Sequence, residues 1–176
     1  IDPKDIDFVS VLDDIEMYIK GKSRIDIIKS VKDVPVHVFG AAASTASWEK
    51  YLGNDCPNVV IHEPVPFEQA VDIMKQSKIV LNNCPWIKNG AHERIFYGLA
   101  CGALVITNDN IYMRENFKND QNIVLFKNSK LEEVNDKVNE YLSHPEKLKK
   151  VVAAGRDLVM REHTWDNRAQ TLVKEL

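Results

Sequence analysis

The residues with the clearest chemical potential lie in one segment, NGAHERIFYGLACGALVITND, at positions 89–109. His92, Glu93 and Arg94 stand just ahead of a run of small and apolar residues with helical spacing. Asn89 or Gly90 could cap this helix. A helix start offers free N–H groups and the positive end of the helix dipole, so it is a suitable seat for phosphate. We therefore expect an anion to bind at this point of the chain.

The side chains around this helix start have complementary chemistry. Glu93 and Tyr97 are one helical turn apart, and a carboxylate there can accept hydrogen bonds from two vicinal hydroxyls, as a ribose presents. Arg94 or His92 can neutralise a phosphate or contact a sugar. The alternative is that Glu93 is only a capping carboxylate, Arg94 a solvated neighbour and His92 a structural histidine. Gly102 is expected to end the helix in a left-handed conformation.

The elements that must hold this segment alternate between short apolar runs and amphipathic helices. We predict strands at IDFVSVL, VPVHVFG, NVVIHE, KIVLNN, LVIT and NIVLF, and helices over SRIDIIKSV, residues 48–52, PFEQAVDIMKQS and the tail. In the tail, Ser129 with Glu132 predicts a capping box, and further helices are expected after Pro145 and after Thr164. This alternation is typical of a doubly wound, Rossmann-like α/β domain, in which helices cover both faces of a parallel sheet.

The expected site lies at one edge of this sheet. Ligands of doubly wound sheets bind outside the carboxyl ends of the strands, and the loop after KIVLNN lies at that edge. The small-residue loop GAAASTAS, at positions 40–47, would let its backbone approach a ligand closely. We therefore expect this loop to form one side of the site.

The length and composition exclude several classes of function. The chain has 176 residues, which suits one domain over 1–176, and its net charge of -3 gives no basic surplus for nucleic acid. No apolar run is long enough for a transmembrane segment. Histidine and carboxylate spacing gives no support for a metal or another cofactor. Because the chain begins with Ile1, we expect it to be a fragment of a longer protein.

The three cysteines indicate the compartment. Cys56, Cys84 and Cys101 are odd in number and form no CxxC pair, which favours a reduced, cytoplasmic setting. We expect them to fill positions in or near the core.

Three blocks of sequence in this order resemble a known family: SKIVLNN (77–83), HERIFYGLACGALVITND (92–109) and YLSHPEKLKKVVAAGRDLVMREHTWDNRAQTLV (141–173). They are similar to the donor-binding, C-terminal half of a GT-B glycosyltransferase, and most of all to the group 1 glycosyltransferases related to the spore-maturation protein CgeB. The resemblance implies that this domain holds a nucleotide-diphosphate sugar, such as a UDP-sugar, as substrate.

The resemblance also implies where the donor lies. The loop from Pro64 to Phe67 would meet the nucleobase through its backbone, and the helix start would meet the diphosphate, ribose and sugar. Lys22 and Arg24 are candidates for the diphosphate, with solvated surface cations as the alternative. The implied donor-binding residues are Lys22, Arg24, Gly40, Val65, Asn83, Asn89, Gly90, Ala91, His92, Glu93, Arg94 and Tyr97.

The chain departs from the family at two positions. Retaining members carry two glutamates that flank this helix, and Asn89 and Tyr97 occupy those places here. Glu93 could take over the hydroxyl contact. In GT-B enzymes the acceptor and any catalytic base come mainly from an N-terminal domain. We therefore expect the catalytic residue outside this chain, and the isolated chain would bind donor weakly and transfer nothing.

The tail has two interpretations. The last helix, from about residue 164, could pack against the missing domain through Trp165 and Arg168, whereas the favoured interpretation is that Trp165 packs on this domain.

Two other functions remain open. The first is a non-catalytic docking or sensing module with a degenerate donor site. The second is a sugar-nucleotide epimerase, which would need acid and base groups in the cleft.

Overall fold

The computed structural model describes residues 7–40, 48–52 and 55–175, and these form an α/β domain with parallel strands. Residues 48–52 are helical. The strands are β1 (Val36–Phe39), β2 (Val59–His62), β3 (Ile79–Asn82), β4 (Leu104–Asn108) and β5 (Val124–Phe126). The helices are α1 (Phe8–Ser30), α2 (Phe67–Gln76), α3 (Glu93–Ala100), α4 (Ile111–Asn116), α5 (Glu133–Ser143), α6 (Pro145–Glu162) and α7 (Trp165–Glu175).

The strand predicted over IDFVSVL is wrong, because residues 8–12 of this segment belong to the long helix α1. The Asp7 side chain caps this helix by accepting hydrogen bonds from the backbone N–H groups of Val9 and Ser10. An ion pair one turn apart, Glu16 with Lys20, adds local support. These local interactions outweigh the strand preference of the β-branched residues. The separate helix expected over SRIDIIKSV is the last part of α1.

Among the described residues, the strands form two parallel sheets rather than one continuous sheet. β1 pairs with β2, and β3, β4 and β5 pair in that order. The register places Val36 opposite Val59, Ile79 opposite Leu104, and Ile106 opposite Val124. Because β3, β4 and β5 are parallel, their carboxyl ends meet at the same edge.

Helices cover both faces of the β3–β5 sheet. Leu104 and Ile106 of β4 belong to a core cluster that includes residues of α1 and α5. Val105, which points the other way, belongs to a second cluster with Ile95 and Leu99 of α3 and residues of α6. The α/β fold with helices on both faces is therefore confirmed.

Two glycines determine how helix α3 packs on the sheet and how it ends. A Cβ atom on Gly98 would lie 2.8 Å from Cγ2 of Val105. Gly102 has φ +82, so it ends the helix in the left-handed region as predicted. The Ala103 N–H then donates to the Gly98 carbonyl at 3.0 Å, and the chain turns directly into β4.

Two other helix starts differ from the predictions. The capping box at Ser129 is wrong, because α5 begins at Glu133 after a turn that includes a hydrogen bond from Val134 N–H to the Leu131 carbonyl. Helix α4 was not predicted. It has only six residues, too few for a periodic pattern, and the Asn110 side chain caps it by accepting from the Met113 N–H.

The last helix makes few contacts with the domain. Trp165 is 80% exposed, so the interpretation that it packs on this domain is wrong. Arg168 contacts the domain instead of Trp165. Its Nη2 donates to the Tyr112 hydroxyl at 2.9 Å and to His163 Nδ1 at 3.1 Å. Cys56 and Cys84 are buried and Cys101 is half-buried, as expected. No helix within the described ranges is both long and apolar enough to cross a membrane.

Candidate functional site

A buried polar network crosses the carboxyl edge of the β3–β5 sheet. Asn82, the last residue of β3, is 2% exposed, and its Nδ2 donates to Oγ1 of Thr107 on β4 at 2.9 Å. This bond fixes the amide so that Oδ1 accepts a hydrogen bond from Arg94 Nη1, also at 2.9 Å. The guanidinium of Arg94, the second residue of α3, is thereby held where β3 and β4 end.

The start of α3 lies two or three residues later than predicted. The cap is His92 rather than Asn89 or Gly90: its Nδ1 accepts from the Arg94 backbone N–H at 3.1 Å. The segment before His92 is kept out of the helix because Asn110 Nδ2 donates to the carbonyls of Ile87 and Gly90. Glu93 is therefore the first residue of the helix.

The protonation state of His92 follows from this position. Burial lowers the pKa of His92, and the nearby Arg94 guanidinium lowers it further. The neutral ring is also the form that can accept a hydrogen bond at Nδ1. His92 is therefore a neutral cap, and Arg94 supplies the positive charge at the helix start.

Asparagine side chains also bind the loop between β3 and α3 to its surroundings. Asn108 Oδ1 accepts from the Cys84 N–H at 2.9 Å. Asn83, on the opposite face from Asn82, donates from Nδ2 to the carbonyl and hydroxyl oxygens of Ser23 on α1. The Asn83 Oδ1 atom is buried without a partner among the described residues.

Helix α1 contributes a second guanidinium to this edge. Arg24 lies over the indole of Trp86, 5.4 Å from its centroid, and Lys20 lies 5.8 Å from the same ring. Arg24 is also close enough to lower the pKa values of His92 and Arg94. Lys22, in contrast, pairs with Asp26 on the exposed surface of α1.

The other candidate residues differ in their exposure and contacts. Tyr97 packs edge-on against Phe67 at 5.1 Å. Val65 is half-buried in the segment between β2 and α2. Asn89 and Glu93 are exposed, and Gly90 and Ala91 are half-buried. Gly40 is buried, and its N–H donates to the His62 carbonyl at 3.3 Å. The rest of the predicted small-residue loop, residues 41–47, lies outside the described residues.

The electrostatic character of this edge is cationic. Among the ion pairs of the described residues, none includes Arg24 or Arg94. Burial lowers the pKa of Arg94, whose partner is the neutral Asn82 amide. A half-buried guanidinium with a neutral partner keeps its full charge, and a bidentate anion such as phosphate matches its geometry. The edge can therefore bind a phosphorylated ligand.

Sequence reasoning did not identify Asn82, Trp86, Thr107 or Asn110. Each acts through a partner distant in sequence, so periodicity gives no sign of the contact. One signal was available: LNN and TND both place polar residues at the carboxyl end of an apolar strand, where ligands bind in α/β sheets. No group of three or more possible metal-ligating side chains occurs in the described part of the chain.

Solved structures that share this fold include glycosyltransferases of the GT-B class. A glycosyltransferase from Rickettsia africae ESF-5 has 15% identity and a TM-score of 0.70, over 86% of this chain and 42% of that one. Anabaena HepE, solved with UDP and glucose, has 14% identity and a TM-score of 0.69, over 87% and 44%. A mutant of S. aureus TarM was solved with Fondaparinux, alpha-GlcNAc-glycerol and UDP. It has 14% identity and a TM-score of 0.71, over 87% of this chain and 32% of that one.

These likenesses establish the fold. The chain spans less than half the length of these solved proteins. The sequence profile of the family described as "Glycosyl transferase-like" matches residues 24–174. The chain therefore belongs to this glycosyltransferase-like family. No curated protein matches it.

Proposed function

We propose that this domain binds the nucleotide-diphosphate sugar donor of a GT-B glycosyltransferase at the carboxyl edge of β3 and β4. The observation that carries the proposal is Arg94, a half-buried guanidinium that donates to the neutral Asn82 amide and has no carboxylate partner among the described residues. Buried cations are normally paired, so one without an anion favours an anionic ligand. Arg24, on the adjacent helix, supplies a second charge.

The donor's parts match the chemistry around this edge. Arg94, Arg24 and the start of α3 hold the diphosphate. Val65 and its loop lie against the nucleobase, and Gly40 lies on the same side. Glu93 and Tyr97 contact hydroxyls of the ribose or the sugar. When the glycosidic bond breaks, negative charge develops on the departing nucleoside diphosphate, and cations placed in advance stabilise it without needing a metal ion.

The nucleotide is a uridine nucleotide in this proposal. HepE and TarM are solved with UDP, and their fold matches this chain over most of its length. We also propose that the chain is a CgeB-like member, because its three sequence blocks, in this order, resemble that group. The buried free thiols Cys56 and Cys84 are consistent with a reducing cytoplasm.

Transfer itself requires a second domain. The chain covers less than half of the glycosyltransferases compared above, and we infer that the acceptor site and the catalytic base belong to the remainder. The exposed apolar residues of α7, including Trp165, Leu172 and Val173, supply a surface for that domain. The isolated chain then binds donor and transfers no sugar, whereas the whole protein glycosylates an acceptor.

A docking module is the second candidate, and one observation favours it. The first half of α1 exposes large apolar side chains on several faces, including Phe8 at 57%, Met17 at 68% and Tyr18 at 68%. Such exposure is typical of a surface that binds another protein. This function would leave the Arg94 site without a nucleotide.

Calorimetric titration of the chain with UDP, GDP, UDP-glucose and UDP-N-acetylglucosamine tests the proposal. We expect UDP and one UDP-sugar to bind, and Arg94→Ala to weaken binding about tenfold or more. Arg24→Ala should weaken it less, because Arg24 is exposed. Lys22→Ala is the matched control on the same helix, since Lys22 already has Asp26 as partner. No binding of any nucleotide by the chain or by the whole protein would favour the docking module.

A further inference from the structure

The carboxyl edge of the sheet contains a carboxylate with a free oxygen. Asp109 follows β4, and its Oδ2 accepts from Arg114 Nη1 at 2.7 Å. Its Oδ1 is buried and has no hydrogen-bond partner among the described residues. Buried polar oxygens are almost always paired, so an unpaired carboxylate oxygen points to a donor group that belongs to a ligand or to water.

The position of Asp109 follows from its neighbours. Asn108 accepts from Cys84 N–H and Asn110 donates to the Gly90 carbonyl, so the residues on either side both bond to the loop that leads into α3. The Asp109 N–H donates to the Phe126 carbonyl at 2.8 Å, which extends the β4–β5 ladder by one residue.

The alternation of a strand then gives the face on which Asp109 lies. Val105 packs with Ile95 and Leu99 of α3, and Thr107 bonds to the Asn82 amide that holds Arg94. Side chains two apart point the same way, so Asp109 extends this row beyond Thr107, on the face that α3 covers. α3 begins at this same edge, since it follows β3.

We propose that Asp109 is a further donor-binding residue, whose free Oδ1 accepts hydrogen bonds from hydroxyl groups of the nucleotide sugar. This inference rests on the proposed function. Arg114 neutralises the charge of Asp109 and orients its second oxygen, so that a carboxylate can lie near an anionic diphosphate. The hydroxyls belong either to the ribose or to the transferred sugar, and both present the same chemistry.

The test is calorimetric titration of Asp109→Asn with UDP and with the UDP-sugar that the wild type binds. A hydrogen bond to a charged group is strong enough that its loss should weaken binding roughly 10- to 100-fold. Loss for the UDP-sugar alone assigns Asp109 to the transferred sugar, and equal loss for both ligands assigns it to the ribose. Arg114→Gln keeps the Asp109 carboxylate but removes its ion-pair partner, so it should weaken binding less than Asp109→Asn does. Asp157→Asn, an exposed carboxylate on α6, is the control.

Two results overturn the inference. Unchanged or tighter binding by Asp109→Asn, with wild-type binding intact, means that a water molecule and not the donor satisfies Oδ1. If the wild type binds no nucleotide, the proposed function itself is wrong. The wild-type titration therefore distinguishes failure of the proposed function from failure of the inference about Asp109. Thermal unfolding of each variant identifies any that do not fold, and Arg114→Gln then carries the test.

Discussion

At the scale of single residues, the half-buried positive charge of Arg94 has no carboxylate partner among the described residues. Arg94 could have been paired with a carboxylate, which would stabilise it but cancel its charge. It is held instead by Asn82, whose orientation is fixed by Thr107. A neutral acceptor satisfies the guanidinium N–H and leaves the charge available to a ligand.

This arrangement predicts the effect of a nearly isosteric change. Asn82→Asp retains an oxygen for Arg94 but adds a negative charge, so UDP affinity should fall about tenfold or more while the folded structure persists. Thr107→Val should also weaken UDP binding, because the Asn82 amide loses its anchor, whereas Thr107→Ser keeps the hydroxyl and should change little. Unchanged affinity of Asn82→Asp in calorimetry would show that Arg94 does not contact the diphosphate.

The residue-level contacts were the least predictable part of the molecule. His92, Glu93 and Arg94 were identified because they are consecutive and stand before a helical run. Asn82, Thr107 and Asp109 were not, because their roles depend on which strand ends lie side by side. Strand order is a tertiary property that local sequence does not contain.

At the scale of elements, the contact between α3 and the sheet depends on the absence of one side chain. Gly98→Ala would place a Cβ atom 2.8 Å from Val105 Cγ2 and close to Val80, so either α3 or the sheet must shift. We expect a loss of about 1–3 kcal/mol in the free energy of unfolding. The measurement is urea unfolding followed by circular dichroism.

The matched control is Gly21→Ala in α1, where a Cβ atom would meet nothing within 4 Å. Alanine favours the helix over glycine by about 0.5–1 kcal/mol, so this variant should be more stable than the wild type. A Gly98→Ala variant as stable as Gly21→Ala would contradict the close packing of α3.

Elements with a clear period were predicted, and those that depend on local capping were not. β1 to β5 and the amphipathic helix α2 follow from their apolar patterns. The first half of α1 contains Phe8, Val9, Val11 and Leu12, whose apolar run indicates a strand, yet Asp7 caps a helix there. Because these side chains stay exposed, no core burial was present to distinguish the two conformations.

At the scale of the whole molecule, two half-buried imidazoles make stability depend on pH. Burial lowers the pKa of His163 from its ordinary value of 6.5, and Arg168 lowers it further. The His92 pKa is lowered in the same way. The unfolded chain then takes up protons at a higher pH than the folded domain does. The free energy of unfolding should therefore fall as the pH drops below about 6.5 and level off below the folded-state pKa values.

The variant His163→Phe tests this dependence. It preserves an aromatic ring between Phe96 and Phe117, where His163 lies 5.3 and 5.4 Å from the two rings, but it cannot titrate. Urea unfolding at pH 7.5 and pH 5.5 should show a smaller pH effect for the variant than for the wild type. An equal or larger effect would mean that His163 is not a source of the acid sensitivity.

The most direct test of the donor site is nuclear magnetic resonance of the ¹⁵N-labelled chain during titration with UDP. We predict that the largest shifts fall on the backbone amides of Cys84, Gly90, His92 and Arg94, together with the indole N–H of Trp86. The indole signals of Trp48 and Trp165 should stay in place. Saturable shifts confined to α7 or the first half of α1, or no shifts at all, would contradict a nucleotide site at the carboxyl edge of β3 and β4.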